Sequence, residues 1–271
     1  MKITALVENT TIDAALTPKH GLSIYIETPE RKVLFDLGPD DTYLSNATKM
    51  GIDIAGVDTV VISHGHYDHG GGLSGFMKIN NKAKIYLHRL AFEPHYAKIL
   101  FIKKAVGLDK SLSGNDRFIL ADGAMQIDDE LFLFSDVTEN SDTKSSRVLL
   151  KKTANGYIQD DFAHEQNLIM TTEGKTVLFS GCSHKGIANI LIAAKKHKPV
   201  IDAVFGGFHL YNPATKAAEP PEVVQGLIDE LAEHDTVFYT CHCTGNIAYE
   251  RMRESMGEKM QYLSTGTTVE I

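Results

Sequence analysis

The stretch Val57-Asp58-Thr59-Val60-Val61-Ile62-Ser63 runs directly into His64-Gly65-His66-Tyr67-Asp68-His69, followed by Gly70-Gly71-Gly72. The first seven residues are mostly β-branched, with Val60-Val61-Ile62 apolar in the manner of a buried strand. In a chain of this composition the string H-x-H-x-D-H is expected by chance only roughly 0.002 times. His64 and His66 alternate at the strand end and can face one cation, while Asp68 and His69 turn toward a second. Neutral imidazoles with one hard carboxylate suit Zn²⁺, and also iron or manganese. Gly65 and the three glycines after His69 are expected to let backbone pass close to the ions.

Around this stretch the chain alternates short strands with a few helices. Lys2–Val7, Leu22–Glu27 and Lys32–Asp36 read as strands, broken at Gly21, Pro29 and Gly38-Pro39. Thr42–Met50 reads as a short helix stopped by Gly51. Further strands are expected at Lys84–Leu87, Leu131–Phe134, Val148–Lys152, Asn167–Thr172, Lys175–Ser180, Asp202–Phe205 and Thr236–Thr240. Helical periodicity marks Gly186–His197, Glu222–Glu233 and Asn246–Met256, with Leu227, Ile228 and Leu231 on one face. The longer spacing across His88–Arg117 predicts a helical insertion near 88–117. No linker rich in Pro, Gly or Ser divides the sequence, so one domain is expected over 1–271. Four strand ends carry a histidine: His64, His184 after Cys182, His209 and His242. Ligands gather at one end of a set of strands because loops converge there on a rigid base.

Composition narrows the class of partner. The 271 residues include 27 basic and 35 acidic side chains, for a net charge of −8. That balance argues against phosphate-driven binding to nucleic acid. The segment from Met1 to Asn9 has no long apolar run and meets an acid at Glu8, unlike a signal peptide. No apolar run reaches the roughly 18 residues of a membrane span. Three cysteines cannot build a disulfide framework. A cytoplasmic protein acting on a small molecule is expected, with neither nucleic acid nor membrane as partner; association into homo-oligomers is left open.

The motif and its surroundings resemble the metallo-β-lactamase superfamily. The shared phrases are Glu27–Asp36 with Leu37-Gly38, Asp58–Gly72, Ser180-Gly-Cys182-Ser-His184, Gly206-Gly-Phe-His209-Leu210 and Thr240-Cys-His242-Cys-Thr-Gly245. Within the superfamily they are similar to the branch of the dihydropterin ribofuranosyl-aminobenzene phosphate synthases. The resemblance implies an α/β fold, an αββα sandwich of two mixed β-sheets flanked by helices. It implies metal ligands at His64, His66, Asp68 and His69, with His164 as the third histidine of the family pattern and His242 as the last. The bridging position, usually an aspartate, falls on Cys182; His184, two residues on, is the alternative. His184 and His209 are the candidates for substrate contact, His209 equally for a supporting role, and Asp68 and His184 for catalysis.

What the resemblance implies for activity is a dinuclear metal-dependent hydrolase. Two divalent ions, zinc first, with iron or manganese as alternatives, would use a bridging hydroxide on a small anionic, phosphate-containing substrate. The branch suggests a second reading, a transferase condensing a pterin with a ribosyl-aminobenzene phosphate on the same metals. A non-catalytic metal-dependent sensor is a third. Lys98, Lys103, Lys104 and Arg117 are the cations available to an anionic substrate, although charges on one face are usually just its wet side.

Overall fold

The computed structural model describes residues 1–139, 141, 143–213 and 215–271. The chain divides into two compact units, one of Met1–Glu93, Val106–Asp122 and Leu263–Ile271, the other of Pro94–Ala105 and Gly123–Tyr262.

The first unit is built on a seven-stranded mixed sheet. Its spatial order is Thr268–Glu270, Lys2–Val7, Ser23–Glu27, Lys32–Phe35, Thr59–Val61, Lys84–His88 and Phe118–Ala121. The pairs are antiparallel up to Lys32–Phe35 and parallel beyond it. The change of direction follows from the connections. A tight turn with Thr28 N–H donating to the Arg31 carbonyl joins two antiparallel strands, whereas parallel neighbours need a crossover. The helices Thr42–Lys49 and Leu73–Ile79 supply two of these crossovers. Tyr43, Ala47, Leu73 and Phe76 on them pack with Leu34, Val60, Ile62 and Ile85 of the strand region. All of Thr59–Val61 is buried, as an interior parallel strand requires. Phe35 pairs with Val61, so Asp36 and Ser63-His64 leave the sheet at the same edge.

The second unit repeats the logic. Its seven-stranded sheet runs Met260–Tyr262, Val237–Thr240, Ala203–Gly206, Lys175–Phe179, Asn167–Thr172, Leu131–Phe134 and Met125–Gln126. Phe179 pairs with Phe205 and Phe205 with Tyr239, all in parallel. The loops carrying Cys182, His209 and His242 therefore leave one edge of this sheet. Helix Ile187–His197 buries Ile187, Ile190, Leu191 and Ala194 at positions i, i+3, i+4 and i+7. They join Val224, Ile228 and Leu231 of helix Pro221–Ala232 and Met252 and Met256 of helix Asn246–Met256 in one core. The expected α/β character, with mixed sheets and flanking helices, is what the chain adopts.

The expected helical insertion near 88–117 does not form. Pro94 blocks a helix there. The segment instead makes an antiparallel hairpin, His95–Ile99 with Ile102–Ala105, on a four-stranded sheet with Leu149–Thr153 and Gly156–Gln159. Cross-strand partners such as Tyr96 with Leu150 decide the matter, and the local spacing that looked helical cannot reveal them. A single 3₁₀ turn, Lys110–Leu112, is the only helix described in the segment. Among the described residues no helix is long and apolar enough to cross a membrane.

Candidate metal centre

In the first unit the histidines of the motif are held from behind. Asp36, fully buried, accepts hydrogen bonds from the Ser63 backbone N–H at 2.7 Å, the Ser63 hydroxyl at 2.7 Å and His69 Nδ1 at 2.6 Å. Since the single Ser63 hydroxyl proton goes to Asp36, Ser63 Oγ accepts from His64 Nδ1 at 2.8 Å. Both imidazoles thus carry their proton on Nδ1 and present the Nε2 lone pair. This second layer fixes the tautomer of metal-binding histidines. The His64 ring lies 4.6 Å from that of His66 and 4.2 Å from that of His69.

Asp68 completes this half. Its carboxylate is 3.9 Å from His69 Nε2 and 3.5 Å from His20 Nε2. Asp68 Oδ2 and His69 Nε2 stand close enough to serve neighbouring positions of a divalent-metal site. The donor set fits a divalent metal by its own chemistry. Gly71 serves a purpose other than the expected one. A Cβ there would lie 2.1 Å from the Pro39 carbonyl oxygen, so the glycine lets the motif's helical turn press against the backbone loop after Asp36.

In the second unit His164 pairs with two residues that the sequence did not single out as site residues. Asp160 Oδ2 lies 2.8 Å from His95 Nδ1 and 3.5 Å from His164 Nε2, and the two rings are 3.9 Å apart. Burial opposes ionisation of Asp160, but the hydrogen bonds with His164 and His95 hold its carboxyl well below the usual carboxylate range. His88 and His95 are both buried. The adjacent Glu165 accepts the backbone N–H groups of His184 at 2.7 Å and Lys185 at 3.0 Å, fastening the Cys182–Lys185 turn to the His164 loop. Burial pushes the Glu165 carboxyl up to about 7 against those two hydrogen bonds.

Cys182, His184, His209, His242 and Cys243 are all buried at the same sheet edge. The His184 ring stacks on Phe162 at 4.3 Å and meets His209 edge-on, also at 4.3 Å. Donor atoms of Cys182, His184 and His209 lie within 4.8 Å of one another, as do those of Cys182, His242 and Cys243. Both candidates for the bridging position are therefore near potential co-ligands. Cys243 packs against bare backbone. A Cβ on Gly207 would come within 2.4 Å of its sulfur, and the His209 N–H donates to that sulfur at 3.3 Å. Burial opposes ionisation of the Cys243 thiol, yet contacts with Cys182 and His209 and the charge of His242 pull it well below the ordinary thiol range. Thiolate and imidazole donors together suit zinc.

Backbone strain collects at these loops. Asp36, Ser183, His209 and His242 have φ of 60°, 54°, 51° and 51°. A left-handed conformation costs a non-glycine residue roughly 1–2 kcal/mol. Such strain concentrates where a side chain must be aimed.

The fold is an α/β fold of mixed sheets whose strand-edge clusters are compatible with divalent-metal binding. Residues 16–139 match the family model of the metallo-beta-lactamase superfamily. It is similar to the 7,8-dihydropterin-6-methyl-4-(beta-D-ribofuranosyl)-aminobenzene-5'-phosphate synthase of Methanocaldococcus jannaschii, with 28% identity over 93% of this chain and 90% of that protein. It is also similar to Tm1679, described as a metal-dependent hydrolase of the beta-lactamase superfamily. That structure shows 27% identity and a TM-score of 0.82, over 100% of this chain and 99% of the other. Zn²⁺-bound PqqB from Methylobacterium extorquens shares the fold at 15% identity and a TM-score of 0.61, over the full length of both chains.

Proposed function

We propose that this protein is a dinuclear metal-dependent hydrolase of a small, anionic, phosphate-containing substrate. The observation that carries the reading is the Asp68 carboxylate 3.9 Å from His69 Nε2 while Asp36 engages the other ring nitrogen of His69. The proposed ligands are His64, His66, Asp68 and His69 with His164, Cys182 and His242, as the family's order along the chain suggests. When bound, two divalent ions supply Lewis acidity and lower the pKa of a coordinated water. The chain's own residues do the rest. Asp36 and Ser63 keep the imidazoles of His64 and His69 oriented and in one tautomer. Phe162 holds the His184 ring flat, so that His184 or His209 can donate a proton or hydrogen bond to charge developing on the leaving group.

Elemental analysis of protein purified without chelator is expected to give two equivalents of metal per chain, zinc first. A metal-replete sample holding one ion would sink the dinuclear reading. A panel of phosphodiesters, phosphomonoesters and lactones then tests hydrolysis. The similarity to the Methanocaldococcus synthase favours a second reading, a pterin-condensing transferase on the same metals. Condensation of a pterin with the ribosyl-aminobenzene phosphate, without turnover of any ester in the panel, would decide for it.

Cys182 and His184 divide on one pair of variants. Cys182→Ala is expected to lose one metal equivalent and His184→Ala to retain both. The reverse result would assign the bridging position to His184 and leave Cys182 as a packed thiol.

A further inference from the structure

The hairpin that replaces the expected helical insertion ends in an unusual tip. Ile99 pairs with Ile102, leaving Leu100-Phe101 as a two-residue turn. Phe101 is 100% exposed, Leu100 82% and Ile102 70%. Four consecutive apolar residues at a ribbon's end, Ile99 to Ile102, are not a normal solvent surface. Leu100 also has φ of 54°, a conformation for which two-residue hairpin turns favour glycine. The hairpin therefore gives up stability to display a leucine. Around the tip stand exposed Lys98, Lys103 and Lys104, and no acidic residue occurs in either strand. The lysines of Ile102–Ala105, the outer strand of its sheet, guard that edge against strand addition. The contact surface is then the apolar tip and not the strand edge.

A complementary feature lies elsewhere on the same unit. A cavity of about 270 Å³ opens between the start of helix Ile187–His197 and helix Pro221–Ala232. Its apolar lining includes Ile187, Phe208, Leu210 and Leu227, and its lining also includes Glu222 and Glu230. The glutamates sit eight residues apart on one helix face, with Gly226 between them leaving the opening clear. Benzene fits a cavity of roughly 150 Å³, so this one has room for an aromatic side chain.

We propose that the Phe101 tip of one copy of this chain seats in the Glu222/Glu230 cavity of a second copy, with Lys98, Lys103 and Lys104 against the two glutamates. Size and charge agree on both sides. The lysines of the ribbon are opposite in charge to the two glutamates at the cavity. The contact is knob to hole, so two copies close when each seats the other's tip and chains extend when they do not.

Sedimentation velocity across protein concentration tests this on the full chain. The wild type is expected to associate and to weaken as salt rises. Phe101→Asp is expected to weaken association by at least about thirtyfold, as loss of a central aromatic anchor does. Glu222→Lys with Glu230→Lys should do the same. Each variant retains one half of the contact, so a mixture of the two should form 1:1 heterodimers that neither forms alone. Thermal melts matching the wild type establish that both remain folded. A wild type that stays monomeric overturns the proposal, as does association that Phe101→Asp leaves unchanged or a mixture that fails to pair. Monomers that co-sediment with anionic phosphatidylglycerol vesicles, and lose this with Phe101→Asp, would also overturn it and make the tip a membrane anchor.

Discussion

Asp36→Ala is expected to lower the unfolding free energy by about 3–5 kcal/mol, the range for removing one member of a buried polar pair. The alanine leaves the Ser63 N–H, the Ser63 hydroxyl and the His69 Nδ1–H without their acceptor in a place closed to water. The effect extends to the motif, because His64 is oriented through Ser63 and His69 directly. Metal affinity should fall about 10- to 100-fold, as for other losses of a group behind a ligand. Asp36→Asn preserves shape and one acceptor, and is expected to lie between the wild type and the alanine variant. Urea unfolding of the metal-free protein, read beside a metal titration, checks both numbers. A loss below about 1 kcal/mol with unchanged metal affinity would show that Asp36 neither secures the strand end nor sets the tautomers.

The second large effect is on turnover. If the protein is the hydrolase proposed above, Asp68→Asn is expected to cost at least about a thousandfold in kcat/KM, equivalent to roughly 4 kcal/mol. An amide occupies the same volume but cannot neutralise a cation. Stability should change little, because the fold uses the backbone of Asp68, whose carbonyl accepts the Leu22 N–H at 3.1 Å. The side chain is itself partly exposed. A variant with wild-type melting temperature and wild-type rate on a verified substrate would remove Asp68 from the reaction.

Much of this was legible in the residues. The interior strand Thr59–Val61 and the three long helices of the second unit carry periodicities set by burial on two faces or one, and these survive in the sequence. The motif announced itself because four donor residues fall within six positions. What could not be read was pairing across distance. Asp36 meets His69 across 33 positions, and His95 meets Asp160 across 65. His95 stands beside Glu93, Pro94 and Tyr96, and nothing local marks it as buried. The hairpin was misread for the same reason, since its strand character comes from Leu149–Thr153 far along the chain. Nothing local marks Cys243 as a potential ligand. Its surroundings include Cys182, 61 positions away, and the backbone of His209, which only the sheet edge brings together.

The strand Thr268–Glu270 pairs with Lys2–Val7, and Thr4 meets Thr268 across 264 positions. During synthesis the first unit therefore emerges without its final edge. The ribosome must add the whole intervening stretch from Gly123 to Tyr262 first, roughly 7–30 s at ordinary elongation rates. For that interval Lys2–Val7, buried from Ile3 onward in the finished protein, presents an open row of peptide groups to any passing strand. A nascent chain stalled before residue 263 would carry an adhesive, unfinished sheet. The strand Thr268–Glu270, which contains none of the proposed ligands, covers that row in the folded chain.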